Sequence, residues 1–352
     1  MSHNNPAGLK SIDHLEFTVD SFKSPTLKFF TTLGFSQTAE SQDSRLYAQG
    51  QVRFLVKAST DDNNLARKYF TAHGEGVSKI SFQVENVEKA LEITLKNGAK
   101  LIKDFKVEES AAGKTKTASI QGFGDVVNEF VERPAAEFRP GFKNLHSDQQ
   151  ALPLKTRVSR IDHLTNNVPK GQMEHWVEFY KRTYGFKETR YFDIKGSKTG
   201  LNSKVVQLED NSIIIPINEP EKENGKSQIQ EFLDMHKGPG VQHIALMTPD
   251  IISTVEELRQ REVRFLEVPK TYYEDIPKRP FKIEEQIPVL EKLKILVDGD
   301  PDGYLLQIFS ETYIGPVFFE YIQRKNHWGF GNGNFQALFD AIERDQMKRG
   351  YL

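Results

Sequence analysis

"SIDHLEFTV" at residues 11–19 and "RIDHLTNNV" at residues 160–168 write Ile-Asp-His-Leu twice, once near the start of the chain and once just past its middle. Both stretches read as strands, and each leads into an amphipathic helix: "SPTLKFFTTLGF" after the first, "GQMEHWVEFYKRTYGF" after the second. Ser24 can cap the first helix with Pro25 at its first position, and both helices stop at a Gly-Phe pair, Gly34-Phe35 and Gly185-Phe186. A second pair follows in the same order. "GVSKISFQVENVEKALEITLKNGAKLI" (76–102) matches "GVQHIALMTPDIISTVEELRQREVRFL" (240–266), each a strand, a capping Asn86 or Asp250, and a helix. A third pair, "VVNEFVER" (126–133) and "VFFEYIQR" (317–324), closes the unit.

Three matches in one order make the halves tandem copies. Within each half the strand-helix opening occurs twice and is followed by β-rich stretches such as "SKVVQLEDNSIIIPIN" (203–218) and "GYLLQIFS" (303–310). The expected fold is therefore α+β: four βαβββ modules forming two tandem half-closed antiparallel β-barrel domains with helices outside. Residues 1–150 form the N-terminal domain and 151–352 the C-terminal one, joined by the Pro-bearing, polar stretch 133–155.

Composition narrows the partners. The 352 residues carry 47 basic and 49 acidic side chains, so no global field points to nucleic acid or an anionic membrane. The absence of cysteine removes disulfides, thiolate nucleophiles and zinc-thiolate sites, leaving His, Asp and Glu to hold any metal. The N-terminus lacks the apolar core of a signal peptide, and no apolar run approaches the roughly 20 residues that span a bilayer. A cytoplasmic protein acting on a small molecule is the expectation.

Aligning the copies shows what each keeps at equivalent places. The C-terminal half has His163, His243 and Glu320; the N-terminal half has His14, Lys79 and Glu129. Strand alternation puts Glu320 on one face with Phe318 and His243 on one face with Ala245, while Leu164, Ile244 and Leu246 fall on the opposite faces. Two imidazoles and one carboxylate make a facial triad that leaves coordination positions open and suits non-heme Fe(II). A protonated Lys offers no lone pair, so the N-terminal copy is expected to be metal-free, structural, and to pair Lys79 with Glu129. A rival reading makes His14 and Glu16 an H-x-E pair with His73 or His146 as a third ligand, but the matching position in the other copy is Thr165.

At "GVQHIALMT", "LLQIFS", "VFFEYIQR" and above all "GFGNGNFQALFDAIERDQMKRG" (329–350), the chain resembles the 4-hydroxyphenylpyruvate dioxygenase family of the vicinal-oxygen-chelate (glyoxalase-like) superfamily. The likeness covers almost the whole length and is strongest across 157–350. It implies iron ligands at His163, His243 and Glu320. It implies further catalytic residues at Ser203, Asn218, Gln242 and Gln307, and substrate contacts at Pro216, Gln228, Phe309, Phe318, Phe330 and Phe335. Asn332 departs from the charged residue expected between the two glycines.

The implied substrates are 4-hydroxyphenylpyruvate and O2, and the implied products homogentisate and carbon dioxide. The α-keto acid can chelate Fe(II) through its carboxylate and keto oxygens and still leave a position for O2. Phe309, Phe330 and Phe335 can wall the ring, and Ser203, Asn218, Gln228 and Gln242 can offer the phenol hydrogen bonds. The terminal stretch reads as a Gly loop, Asn334 as helix cap, and a helix with Phe335, Leu338, Phe339 and Ile342 along one face; in the family this helix covers the iron site as a lid. A homo-oligomer, dimer or tetramer, is expected. Two alternatives share the fold: 4-hydroxymandelate synthase, with the same triad and substrate, and a non-enzymatic module that binds an aromatic compound.

Overall fold

The computed structural model describes residues 5–58, 60–135, 137–145, 156–222 and 226–352. The first module runs β1 (Leu9–Thr18), α1 (Thr26–Thr32), β2 (Ser36–Glu40), β3 (Ser44–Gln49) and β4 (Val52–Lys57). The second adds a leading helix: α2 (Leu65–His73), β5 (Gly76–Val84), α3 (Val87–Lys96), β6 (Leu101–Ser110), β7 (Gly113–Gln121) and β8 (Val127–Glu132), followed by the short β9 (Lys143–Asn144). The third repeats the first as β10 (Arg160–Asn167), α4 (Met173–Tyr184), β11 (Lys187–Lys195), β12 (Gly200–Gln207) and β13 (Ile214–Pro220). The fourth repeats the second: α5 (Gln228–His236), β14 (Gly240–Met247), α6 (Ile251–Gln260), then β15 (Leu296–Asp300), β16 (Gly303–Phe309) and β17 (Phe318–Lys325). An insertion that the sequence reading did not anticipate separates α6 from β15. It holds two short helices, Lys270–Glu274 and Ile287–Leu293, around a 3-10 turn at Ile276–Lys278. A terminal helix, Asn332–Lys348, ends the fold.

The strands form two sheets, ordered β6-β7-β8-β5-β1-β4-β3-β2-β9 and β11-β12-β13-β10-β14-β17-β16-β15. Modules meet antiparallel, β1 against β5 and β10 against β14. Inside each module the other pairings are antiparallel except one: the first strand lies parallel to the last, as in β1 with β4, β5 with β8, β10 with β13 and β14 with β17. The helix after each first strand supplies the long crossover that a parallel neighbour requires. The boundary at 150/151 falls within residues 146–155, outside the described residues.

Local signals act where they were expected. Asn86 accepts from Lys89 N at 2.8 Å at the start of α3, and Asp250 accepts from Ser253 N at 3.1 Å at the start of α6. Gly185 ends α4 in the left-handed region at φ 77°, where a side chain would be strained. The first helix starts one residue later than expected: Pro25 is its cap residue, and Ser24 Oγ accepts from Thr26 N at 3.3 Å.

One continuous apolar core runs through both halves. Phe29 of α1 stacks on Tyr313 at 3.8 Å between centroids and tilts against Phe319 of β17 at 5.6 Å. Reciprocally, Tyr184 of α4 packs on Phe82 of β5 and Phe130 of β8. Each half thus inserts the helix of its first module into the other's packing, and each aromatic pair adds about 0.5–1.5 kcal/mol beyond its buried area.

Candidate active site

The face of the second sheet that carries His163 on β10, His243 on β14 and Glu320 on β17 lines a cavity, and the three strands are neighbours in the sheet. His163 Nε2 lies 3.2 Å and His243 Nε2 3.5 Å from Glu320 Oε2. All three side chains are buried, and their ligand atoms lie within 4.8 Å of one another, the one such cluster among the described residues.

The residue before each histidine fixes its ring. Asp162 Oδ2 accepts from His163 Nδ1 at 2.9 Å, and Gln242 Oε1 accepts from His243 Nδ1 at 3.0 Å, so both Nε2 atoms face Glu320. Arg324 clamps Asp162 with two bonds of 2.9 and 2.7 Å and donates to the carbonyls of His327 and Gly329. Gln307 Nε2 donates to Glu320 Oε1 at 2.8 Å, leaving Oε2 toward the imidazoles. Burial alone would lower His163, but the Glu320 and Asp162 carboxylates outweigh it and raise the group to about 9. Burial would likewise raise Glu320, yet the two imidazoles hold it at about 2. In the metal-free protein a proton therefore sits between His163 and Glu320, where a cation would compete with it. Two imidazole nitrogens and a carboxylate oxygen with pre-oriented rings fit a divalent first-row metal.

The cavity encloses about 410 Å³ of space, mouth included. Seven of the other predicted residues line it: Ser203, Pro216, Asn218, Gln307, Phe309, Phe330 and Phe335. Thr165, Phe192, Val205 and Leu338 complete its walls; Leu338 was expected on the inner face of the terminal helix, and the other three escaped the sequence reading. Phe192 had a signal, since it alternates with Ile194 as the buried pair of an otherwise exposed β11. Ser203 and Asn218 face each other across the β12–β13 ladder. Ser203 Oγ and Asn218 Oδ1 are buried without a hydrogen-bond partner in the described structure.

Gln228, Gln242 and Phe318 do not line this cavity; they border a neighbouring groove beside the terminal helix. Phe318 still stacks on the His243 ring at 4.8 Å between centroids. One expectation, Asn334 as the helix cap, is corrected by the structure. The terminal helix begins at Asn332, with Gly331 in the left-handed region as its cap residue. Asn334 lies inside the first turn, fully buried, and donates to Gln307 Oε1 at 2.8 Å, because an amide acceptor on β16 offers its side chain more than the helix end does.

The N-terminal copy repeats the scaffold without the site. Asp13 Oδ2 holds His14 Nδ1 at 2.7 Å and Arg133 clamps Asp13, as Arg324 clamps Asp162. Lys79 Nζ, at the place of His243, lies 3.1 Å from Glu16 and 3.3 Å from Glu129, and Arg139 also bonds Glu129. Both carboxylates are thus saturated by cations. The H-x-E reading fails for the same reason: Glu16 belongs to Lys79, and His73 bonds Asp125 and stacks on His236. His146 lies outside the described residues.

Comparison with known proteins agrees with this geometry. Residues 3–138 match the family model "Hydroxyphenylpyruvate dioxygenase, HPPD, N-terminal", and residues 160–308 match the "Glyoxalase/Bleomycin resistance protein/Dioxygenase superfamily". The chain is 40% identical to the 4-hydroxyphenylpyruvate dioxygenase of Legionella pneumophila, over 100% of this chain and 99% of that one. It is 37% identical to the enzyme of the same name from Pseudomonas aeruginosa, over 100% and 98%, and 41% identical to hemolysin VllY of Vibrio vulnificus, over 99% and 98%. Among solved structures it is similar to a triple mutant of 4-hydroxymandelate synthase from Streptomyces coelicolor, at 25% identity and a TM-score of 0.83, covering 96% of this chain and 99% of that one.

Proposed function

The chain belongs to the 4-hydroxyphenylpyruvate dioxygenase family, and from that premise we propose that its C-terminal half, 151–352, holds Fe(II) on His163, His243 and Glu320 and converts 4-hydroxyphenylpyruvate and O2 to homogentisate and carbon dioxide, a step in tyrosine and phenylalanine breakdown. The N-terminal half, 1–150, carries the degenerate copy and serves the fold. The observation that carries the reading is a buried His-His-Glu cluster opening on an aromatic-walled cavity that also holds two unpaired polar atoms.

Fe(II) bound there supplies a Lewis-acidic centre with open positions for the keto acid and for O2. The protein does the rest by placement. Asp162 and Gln242 keep each Nδ1 protonated and each Nε2 free to ligate; Gln307 holds one oxygen of Glu320 so that the other faces the site. Phe309, Phe330 and Phe335 wall the ring, with Pro216 beneath. Ser203 Oγ and Asn218 Oδ1 have unused hydrogen-bonding capacity for a phenol. Phe335 and Leu338 of the terminal helix close the cavity and keep bulk water from the reacting molecule.

The structural similarity to a hydroxymandelate synthase supplies the second reading, in which the same site oxidises the side chain instead of the ring. Chromatography of the products formed from 4-hydroxyphenylpyruvate and O2 decides. Homogentisate supports the dioxygenase, 4-hydroxymandelate supports the synthase, and the absence of turnover by the iron-loaded protein overturns both.

A further inference from the structure

The N-terminal sheet keeps a cavity at the place where the C-terminal sheet has its active site, and the strand registers relate the two walls position by position. Glu16 stands where Thr165 does, each two residues past the repeated histidine, and Lys79 stands where His243 does. Lys57 pairs with Thr18 on β1 as Asn218 pairs with Asn167 on β10, so it takes the place of Asn218. All three C-terminal residues line the active-site cavity, and all three N-terminal residues line the other one, which has about 1130 Å³ of space, mouth included. Duplication preserved the hollow and changed the polarity of its wall.

The charges in this wall do not all cancel. Glu16 is taken by Lys79, Lys57 is taken by Asp43 at 3.0 Å, and Asp125 is taken by His73. Lys68 and Lys103, both exposed at its mouth, also face the cavity; neither forms an ion pair among the described residues, and Glu16 and Glu129 act on Lys103 only from farther away. Partial desolvation and the nearby Lys79 and Lys57 push Lys103 below its usual range, against the opposing pull of Glu16 and Glu129. The N-terminal end of α2, capped by Asn64, forms part of the same wall and adds its partial positive charge. Leu65, Ile102 and Val126 supply an apolar side.

We propose that this cavity is a second, metal-independent ligand site for a small organic carboxylate with an apolar body, the carboxylate held by Lys68 and Lys103 and the body resting on Leu65, Ile102 and Val126. The two barrels would then bind ligands of related chemistry by different means, one through a metal ion and the other through ammonium groups. The inference does not depend on the iron assignment.

Calorimetric titration of phenylacetate into the full-length, iron-loaded protein tests it. The proposal predicts a binding event that a Lys68→Gln/Lys103→Gln double variant weakens at least tenfold, that Lys103→Glu weakens further, and that Glu320→Ala leaves in place. Turnover of 4-hydroxyphenylpyruvate by the lysine variants should be unchanged, which shows that they fold. An isotherm unaffected by the lysine changes, one abolished by Glu320→Ala, or no binding overturns the proposal. Inorganic phosphate binding as tightly as phenylacetate overturns the apolar part of the site.

Discussion

At the scale of residues, the site is an arrangement of partners more than of ligands. Asp162 sets the tautomer of His163 and neutralises the buried Arg324, so Asp162→Asn should weaken metal binding about 10- to 100-fold while leaving the three ligands in place. An equilibrium metal titration reads this, and an unchanged affinity would remove Asp162 from the account. Ser203 behaves oppositely toward stability. Its hydroxyl is buried without a partner, so Ser203→Ala removes an unsatisfied group and should leave the unfolding free energy the same or higher by up to about 1 kcal/mol. The same change should raise KM for 4-hydroxyphenylpyruvate roughly tenfold, the worth of one hydrogen bond. A destabilised variant with an unaltered KM would show that the hydroxyl serves the fold. The ligands themselves were legible because the repeat aligned them. Asp162 and Arg324 were equally visible as repeats of Asp13 and Arg133, but a motif match does not reveal which neighbour orients a ring. Gln228, Gln242 and Phe318 stand beside the cavity and not in its wall, a distinction that sequence alone does not make.

At the scale of elements, the terminal helix is tethered at its start, middle and end. Glu343 accepts five hydrogen bonds from the β11–β12 turn, from the backbone N–H groups of Ser197, Lys198 and Thr199 and from the hydroxyls of Ser197 and Thr199. Arg349 pairs with Glu231 of α5 at the other end, and Asn334 links the first turn through Gln307 to Glu320. Glu343→Ala should loosen the helix by about 3 kcal/mol, since bonds to a charged group are worth more than neutral ones. Water would then reach the reacting molecule, and the ratio of oxygen consumed to homogentisate formed should rise above one. A ratio that stays at one would mean that the helix closes without this tether. The helix was readable from its apolar stripe and glycine loop. Its first turn was not, because the fate of Asn334 depends on an acceptor from β16. The insertion between α6 and β15 had no counterpart in the other half, so the repeat that exposed everything else was silent there.

At the scale of the whole molecule, the two halves meet on a histidine pair. His73 of α2 stacks on His236 of α5 at 4.5 Å, and Tyr69 donates to His236 Nε2 at 2.7 Å. Burial, followed by the nearby His73, lowers His236 to about 4. Below its unfolded value of about 6.5 the unfolded chain takes up a proton that the folded chain refuses, so stability falls as pH drops from about 6.5 to about 4, by about 3 kcal/mol at most. His14 and His243, also pushed down by burial, act in the same direction. His163 works in another window: raised to about 9, it stabilises the metal-free protein below about pH 6.5 and loses that contribution as pH rises toward 9. Denaturation midpoints of the metal-free protein across pH 4–6.5 should show the slope, and His236→Gln should reduce it; an equal slope in the variant would contradict the assignment. The larger asymmetry is that two copies of one scaffold carry one metal site, because Lys79 and Arg139 saturate the carboxylates of the first copy. Anaerobic titration with Fe(II) tests that claim most directly: it predicts one high-affinity iron per chain, abolished by Glu320→Ala and untouched by Glu129→Gln, whereas two irons per chain, or one that survives Glu320→Ala, would contradict it.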